Sequence, residues 1–446
     1  MYPTPLASEG LIIIATMSIQ SSHFSRRRFL ATTAMAGAGM LSSSGVAAQK
    51  PSKKALPTPN KSGIEHVVIV MMENRSFDHF LGWTPGADGR QAGPSYPDES
   101  GVLHPTMPLA PDYQGCSHPD PDHTYAGGRI EYNNGACDGW LLAGNNDDYA
   151  IGYYTEADLP FYSGATRAFT TCDRYFSAIM AGTYPNKIYQ HAGQTDRLEN
   201  SLTISTLPTI WDRLADHSLS GKYYFSDIPF TALWGLKYLH LTHHVSEFFE
   251  DCAAGTLPHV SMVDPRFLLA AQGLSADDHP HADIRNGQVF LSDIYHAVAS
   301  SPNWRNTVLV INYDEWGGFF DHVPPSRAPI PPADAALGSD GLRGFRTPAL
   351  IIAPWARVGQ VAHQIFDHTS VLRMIEWRWN LRPLTVRDAT ATNLAEAFDF
   401  SRANLNPPTL PVPPGPFGVP CPIAVLPDKW TRLGEIAAVL GFDLPI

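Results

Sequence analysis

The sequence has little positive charge for its length. Its 446 residues include 31 Lys and Arg against 43 Asp and Glu, which gives a formal net charge of −12 at pH 7. Proteins that bind nucleic acids need a basic surface to displace counterions from phosphates. The charge balance therefore argues against a nucleic-acid partner.

Motifs that hold redox cofactors are also missing. The five cysteines form no CxxC pair, and the chain after its N-terminal segment has no haem attachment motif and no GxGxxG turn after a strand. These absences disfavour a flavin, nicotinamide or haem enzyme. One or two disulfides with one thiol left over are expected in an exported protein, and the spacing does not give their pairing.

The chain after its N-terminal segment has no long apolar run. No stretch there reaches the roughly 18 apolar residues that a membrane span needs. The N-terminus itself reads "SRRRFLATTAMAGAGMLSSSGVAAQK", with Arg26 and Arg27 before an Ala/Gly-rich run. It resembles a twin-arginine signal peptide over residues 1–48, cleaved after Ala48, with Met17 as an alternative start. This predicts the twin-arginine translocase as a partner and a periplasmic or secreted protein.

What the sequence does contain is enough apolar material for a large core, since 44% of its residues are hydrophobic. Short apolar runs at 67–72, 308–311 and 349–352 alternate with helical patterns at 290–299 and 370–379. This alternation predicts an α/β fold with a mostly parallel central sheet, helices on both faces and long active-site loops. We expect a linker at 49–62, a catalytic domain at 63–403, and a Pro-rich tail at 404–446 with a short helix near 431–440.

Two apolar runs end in oxygen-bearing pairs. "HVVIVMMENRSFDHF" delivers Glu73 and Asn74, and "NTVLVINYDEWGGFFDHVPP" delivers Asp314 and Glu315. Ligands in such sheets bind beyond the carboxyl ends of the strands, so the two pairs are expected to converge. Three carboxylates at one edge would repel each other unless a cation lies between them. The pattern predicts one divalent ion such as Ca²⁺, Mg²⁺ or Mn²⁺, against the alternative that each pair only caps a loop.

Between these strands, "AGTYPNK" places Thr183 before a probable helix from Asn186. A hydroxyl at such a turn is usually a helix N-cap, but beside a metal it is a candidate nucleophile. Histidines in the polar loops are candidate phosphate ligands or proton donors. Those that the pattern singles out are His118, His123, His243, His244, His279 and His281. In "DHTSVLRMIEWRW", Thr369 or Ser370 is the expected helix cap, which leaves Asp367 and His368 structural.

Several blocks together resemble the bacterial phosphoesterase family that contains non-haemolytic phospholipases C and acid phosphatases, itself similar to the alkaline-phosphatase-like superfamily. The specific blocks are "ENRSFDH" and "YDEWGGFFDHVPP", joined in family order by "AGTYPNKIYQHAG" and "HPHADIRNGQVFLSDIYHAV". The resemblance implies Thr183 as the nucleophile and a set of four metal ligands. That set is Glu73, Asn74, Asp314 and Glu315.

The same resemblance implies roles for the histidines. His123, His279 and His244 take catalytic roles, and His243 and His281 bind substrate. The expected activity is that of a phospholipase C, which releases diacylglycerol from phosphatidylcholine-type lipids through a phosphothreonine intermediate. An acid phosphatase acting on phosphomonoesters is the alternative within the family, and a non-catalytic phosphate or metal binder is the alternative outside it.

Overall fold

A computed structural model describes residues 55–422 and 429–445. The predicted signal peptide and residues 49–54 of the predicted linker lie outside these ranges. Within them, no helix combines the length and the apolar character that crossing a bilayer requires.

The secondary structure consists of 14 short strands and 11 α-helices in the described ranges. The strands are β1 (His66–Met72), β2 (Ser95–Pro97), β3 (Leu103–Pro105), β4 (Met107–Pro108), β5 (Gly152–Tyr153), β6 (Thr170–Cys172), β7 (Tyr175–Phe176), β8 (Gly221–Phe225), β9 (Thr242–His244), β10 (Val260–Val263), β11 (Thr307–Tyr313), β12 (Leu350–Ile352), β13 (Gln360–Ala362) and β14 (Phe366–Asp367). The helices are α1 (Phe77–Leu81), α2 (Gly127–Tyr132), α3 (Pro160–Ala168), α4 (Thr183–Ala192), α5 (Ile210–Asp216), α6 (Val245–Ala254), α7 (Ile284–Ser300), α8 (Pro332–Ala336), α9 (His368–Trp379), α10 (Val386–Thr390) and α11 (Lys429–Leu440).

Eight of the strands form one central sheet in the order β13-β6-β12-β11-β1-β10-β8-β9. Strand β12 runs antiparallel to both of its neighbours, whereas the pairs β1–β10, β1–β11, β10–β8, β8–β9 and β13–β6 are parallel. The predicted mostly parallel sheet is therefore confirmed. Its longest strands, β1 and β11, are neighbours at its centre.

The apolar run of β1 is continuous because both faces of this strand are covered. Val67 and Ile69 pack into one hydrophobic cluster with residues of α4, α5, α9 and α11. Val68, Val70 and Met72 pack into a second cluster with residues of α1, α3, α6 and α7. The predicted helices on both faces are thus present, and they enclose the sheet so that only the strand ends are available for chemistry.

Two helix starts differ from the sequence prediction. Helix α4 begins at Thr183 rather than Asn186, with Gly182 as its N-cap. Helix α9 is capped by Asp367, whose Oδ1 accepts a hydrogen bond from the Thr369 N–H at 2.9 Å, so the expected Thr369 or Ser370 cap is wrong. Asp367 precedes α9, so its carboxylate can accept from a free N–H of the first turn. The hydroxyls of Thr369 and Ser370 lie inside the helix and are less well placed to do so.

Residues 404–422, the described part of the predicted tail before α11, have no regular secondary structure and lie against α7. The Ser292 hydroxyl donates to the carbonyl oxygen of Pro411 at 3.1 Å, and the Asn286 side chain accepts from the Phe417 N–H at 2.8 Å. A disulfide joins Cys116 to Cys421, and the remaining three cysteines are buried thiols. The expectation of a single thiol left over is therefore wrong, because only one disulfide forms.

A buried ion-pair cluster links the segments that follow β1 and β11. The Arg346 guanidinium donates to Asp78 Oδ1 at 3.0 Å and to Asp321 Oδ1 at 2.9 Å, and none of the three side chains is exposed. The carboxyl group of Asp78 also pairs with the ring of His322. Asp78 of the "ENRSFDH" block and Asp321 and His322 of the "YDEWGGFFDHVPP" block thus have a structural role in this cluster. This cluster supports the loops that carry the candidate site.

Replacement of Arg346 by methionine should destabilise the protein by about 3–5 kcal/mol, because it leaves two buried carboxylates without their cation. The measurement is the chemical denaturation midpoint, compared with that of Arg402→Met, which removes an exposed arginine. Equal midpoints for the two variants would show that the Arg346 cluster contributes nothing to stability.

Candidate active site

The two predicted strand-end pairs lie side by side. Met72 of β1 is in register with Tyr313 of β11, so the next residues of both strands emerge at the same edge of the sheet. The backbone N–H of Asn74 donates to Asp314 Oδ1 at 3.0 Å. Glu73, Asn74, Asp314 and Glu315 all have 0% exposure. The structure therefore brings the four predicted ligands together in a buried position.

The chain turns away two residues after Glu315, on a glycine. Gly317 has a φ of +66°, and a side chain at this position would collide with the carbonyl oxygen of Asn74. Its N–H donates to Glu315 Oε2 at 2.6 Å. Glycine is needed here because only it combines this backbone conformation with so close an approach.

Two carboxyl groups of the site have raised pKa values. Burial and the neighbouring charge of Glu73 raise the pKa of Asp314, and burial and the charge of Asp314 raise the pKa of Glu315. Two lysines partly balance these acids. Lys187 Nζ lies 3.5 Å from Glu73 Oε1, and Lys429 Nζ lies 3.3 Å from Glu73 Oε2.

One oxygen of each carboxylate has no hydrogen-bond partner among the described residues. These buried atoms are Glu73 Oε1, Asp314 Oδ2 and Glu315 Oε1. Buried carboxylate oxygens are normally hydrogen-bonded or bound to metal, because desolvating them otherwise costs free energy. The donor set contains only oxygen, which hard divalent cations prefer. The residues present therefore fit the predicted metal ion.

Thr183 lies next to this set, at the first position of α4. Its hydroxyl makes no capping hydrogen bond, since Gly182 is the cap. The Thr183 Oγ lies 3.4 Å from Asn74 Oδ1 and accepts a hydrogen bond from Lys429 Nζ at 2.7 Å. The alternative in which Thr183 only caps the helix is therefore wrong.

His123 and His279 pack edge to face, with ring centroids 5.9 Å apart, and both line a cavity of about 230 Å³ that Lys429 also lines. His123 Nε2 lies 3.3 Å from Asn74 Nδ2 and 3.9 Å from Glu315 Oε1. His279 Nε2 lies 3.8 Å from Asp120 Oδ2, and burial together with the Lys429 charge lowers the pKa of this imidazole. Both Nδ1 atoms contact backbone carbonyl oxygens, which leaves the Nε2 atoms for chemistry.

The remaining predicted histidines lie elsewhere. His281 Nε2 is 2.9 Å from the carbonyl oxygen of His118. His243 and His244 are on β9, the edge strand, which two other strands separate from β1. His243 pairs with Glu247 at 3.0 Å, and the His244 ring caps α6. His123 and His279 line the same cavity as Lys429, which contacts Thr183, whereas no contact joins His243 or His244 to these residues among the described residues.

Sequence reasoning missed three groups that line the site. Lys187 follows Thr183 by four residues, so α4 places both on one side. Asp120 lies in the "HPDPDH" loop, where the proximity of two histidines is a usable signal. Lys429 comes from the tail helix α11, 246 residues from Thr183, and no local pattern identifies it.

Comparisons with known proteins agree with the motifs. A model of the Phosphoesterase family matches residues 64–382. Non-specific phospholipase C6 from Arabidopsis thaliana is 31% identical, covering 86% of this chain and 82% of its own. Phospholipase C B from Mycobacterium tuberculosis is 31% identical, covering 86% of this chain and 88% of its own. Non-hemolytic phospholipase C from Pseudomonas aeruginosa is 30% identical, covering 87% of this chain and 65% of its own.

Proposed function

Because this chain belongs to the phosphoesterase family and is therefore a phosphoric ester hydrolase, we propose that it is an exported, metal-dependent enzyme of the phospholipase C type. Its substrate is a phosphodiester of the phosphatidylcholine kind, which it cleaves to diacylglycerol and a phosphorylated head group. The observation that carries this proposal is the set of three buried carboxylates beside the Thr183 hydroxyl, each with one oxygen that accepts no hydrogen bond from the described residues.

Glu73, Asn74, Asp314 and Glu315 would hold one divalent cation. When bound, such an ion offsets the charge of the phosphoryl group and lowers the pKa of a nearby hydroxyl. The Asn74 side chain supports this assignment because its Oδ1 faces the Thr183 hydroxyl, which brings the nucleophile to the ligand set.

In the proposed mechanism, side chains of the protein act as the nucleophile, the proton donor and the proton acceptor. Thr183 Oγ gives its hydroxyl proton to water and attacks phosphorus, and the bond from phosphorus to the alcohol oxygen breaks as the phosphothreonine forms. Hydrolysis later breaks the bond from phosphorus to Thr183 Oγ, which takes a proton back from solvent. His123 donates the proton to the leaving alcohol from its ring, which lines the cavity while its Nδ1 contacts the carbonyl oxygen of Pro121. His279 is kept neutral by its lowered pKa and accepts a proton from the water that hydrolyses the phosphothreonine.

An acid phosphatase activity remains the second candidate because the cavity is small. Its volume of about 230 Å³ is below the range of typical ligand sites, about 300–1,000 Å³. A small phosphomonoester fits such a space more readily than a lipid. Parallel assays on phosphatidylcholine vesicles and a soluble phosphomonoester, each with Ca²⁺, Mg²⁺ and Mn²⁺, separate the two. Faster turnover of the monoester at equal concentration would overturn the phospholipase assignment.

Export by the twin-arginine route is part of the proposal and rests on the N-terminal sequence alone. Its test is fractionation of cells that express the full chain or a variant with Arg26 and Arg27 replaced by lysine. We expect the mature protein outside the cytoplasm only for the unmodified chain. Equal export of both would contradict this route.

Metal binding should strengthen as pH rises. The folded-state pKa values of Asp314 and Glu315 are raised, so the metal-free protein is most stable below the ordinary carboxyl pKa and loses stability as pH rises through the raised values. A cation binds the deprotonated groups and removes that loss. The increase in Tm on adding Mn²⁺ should be larger at about pH 8 than at about pH 5. An equal increase at both would contradict these ligands.

A further inference from the structure

Helix α11 brings a cation to the nucleophile from outside the region that the family match covers. The match ends at residue 382, whereas α11 spans Lys429–Leu440. Lys429 Nζ donates to Thr183 Oγ at 2.7 Å and lies 3.3 Å from Glu73 Oε2. Its side chain is only 13% exposed. The tail therefore supplies a charged group that directly touches the proposed reacting atom.

Packing holds this lysine in place. The Trp430 ring stacks on Phe267 with centroids 3.8 Å apart and an angle of 7° between the planes. Leu433 and Ala437, further along α11, are fully buried in the core cluster. The Tyr184 hydroxyl, one residue after the nucleophile, donates to the carbonyl oxygen of Lys429 at 2.6 Å. These contacts fix the start of α11 relative to Thr183.

Lys429 is a proton-bearing donor. Its Nζ lies 2.7 Å from the Thr183 hydroxyl oxygen and 3.3 Å from a carboxylate oxygen of Glu73, two acceptors that suit the ammonium form in which lysine ordinarily occurs. An ammonium group in this state cannot take the proton of Thr183. It can only donate hydrogen bonds and offset negative charge.

Glu73 does not require Lys429 as a partner. Trp430 Nε1 donates to Glu73 Oε2 at 3.2 Å, and Lys187 lies beside Oε1. Lys429 also lines the cavity that His123 and His279 border. Once a bond joins Thr183 Oγ to phosphorus, the other phosphoryl oxygens lie directly beside Oγ. A donor within hydrogen-bond distance of Oγ is then within reach of them.

We propose that Lys429 is a catalytic residue, whose ammonium group binds a non-bridging oxygen of the phosphoryl group as it transfers to Thr183. The inference rests on the proposed function. The ammonium keeps its proton throughout. Thr183 gives its hydroxyl proton to water as the bond from its Oγ to phosphorus forms, and His123 gives a proton to the leaving oxygen as its bond to phosphorus breaks. Preorganised donors of this kind act mainly on the transition state, so kcat depends on them more than KM.

The test compares Lys429→Met, Lys429→Arg and Arg432→Met, the last of which removes an exposed charge from the same helix. Lys429→Met should lower kcat by about 10²–10³-fold, as loss of one transition-state donor does elsewhere. Lys429→Arg should recover part of this loss, and Arg432→Met should leave kcat unchanged. Retained Tm and retained near-UV circular dichroism show that α11 is still packed.

Inorganic phosphate gives a second readout that needs no turnover. Its dissociation constant, measured by calorimetry, should rise by about 10-fold in Lys429→Met, since a charge-assisted hydrogen bond is lost. Wild-type kcat and phosphate affinity in Lys429→Met would overturn the inference, and a higher kcat would show that α11 obstructs the site instead. If the wild-type protein hydrolyses no phosphate ester, the proposed function fails, and the phosphate affinities alone still decide the role of Lys429.

Discussion

Thr183→Ala should lower kcat by about 10⁴-fold or more while leaving the fold unchanged, because removal of a catalytic nucleophile has effects of this size. The hydroxyl is fully buried, caps no helix and accepts its hydrogen bond from Lys429, so its loss removes no structural cap. The measurement is steady-state hydrolysis of the preferred ester together with Tm and circular dichroism.

Two variants serve as controls for Thr183→Ala. Thr183→Ser keeps a primary hydroxyl at the same place and should retain measurable turnover. Thr209→Ala removes a buried threonine that does cap a helix, accepting from the Trp211 N–H at 3.2 Å, and should lower stability by about 1 kcal/mol with kcat unchanged. Near wild-type kcat in Thr183→Ala would exclude this residue as the nucleophile.

Asp314→Ala should abolish both metal binding and turnover. Asp314 links the two strand-end pairs, because its Oδ1 accepts from the Asn74 N–H, and its Oδ2, which accepts no hydrogen bond from the described residues, is left for a cation. Loss of this oxygen should lower kcat by at least about 10³-fold, because metal and positioning provide most of the stabilisation in phosphoryl transfer. Metal content by mass spectrometry should fall in parallel.

Glu131→Gln is the matched control for Asp314→Ala. Glu131 is also a fully buried acid with a raised pKa, but its Oε2 accepts from Trp316 Nε1 at 2.7 Å and it is outside the ligand set. Glutamine preserves that acceptor, so metal content and kcat should stay near wild type. An Asp314→Ala protein that retains its metal and its rate would contradict the proposed ligand set.

Much of the site can be predicted from the sequence because polar residues directly follow apolar runs that form strands. Continuous apolar runs place β1 and β11 in the buried centre of the sheet, and polar residues directly after them must emerge at its edge. Glu73, Asn74, Asp314 and Glu315 follow from this rule and from the charge repulsion that a cation relieves. Their convergence needs only that the two strands are neighbours, which the register of Met72 with Tyr313 confirms.

Other features depend on long-range contacts that a sequence pattern does not contain. Lys429 reaches Thr183 only because α11 packs its apolar face into the core that β1 and β11 share. The pairing of Cys116 with Cys421 spans 305 residues and has no local signature. The histidines in the loops show the same limit, since "HPDPDH" and "LTHHVSEFF" each contain two histidines and an acidic residue, but only the first lies near Gly182, the residue before Thr183.

The central claim is that Thr183 carries the phosphoryl group between substrate and water. The most direct measurement is acid quenching of the enzyme during turnover, followed by mass spectrometry of the tryptic fragment 175–187, in which Thr183 is the only threonine. We expect the mass of one phosphoryl group on Thr183, absent from Thr183→Ala and from enzyme quenched without substrate. An unmodified fragment at every quench time, while product accumulates at the wild-type rate, would contradict the account.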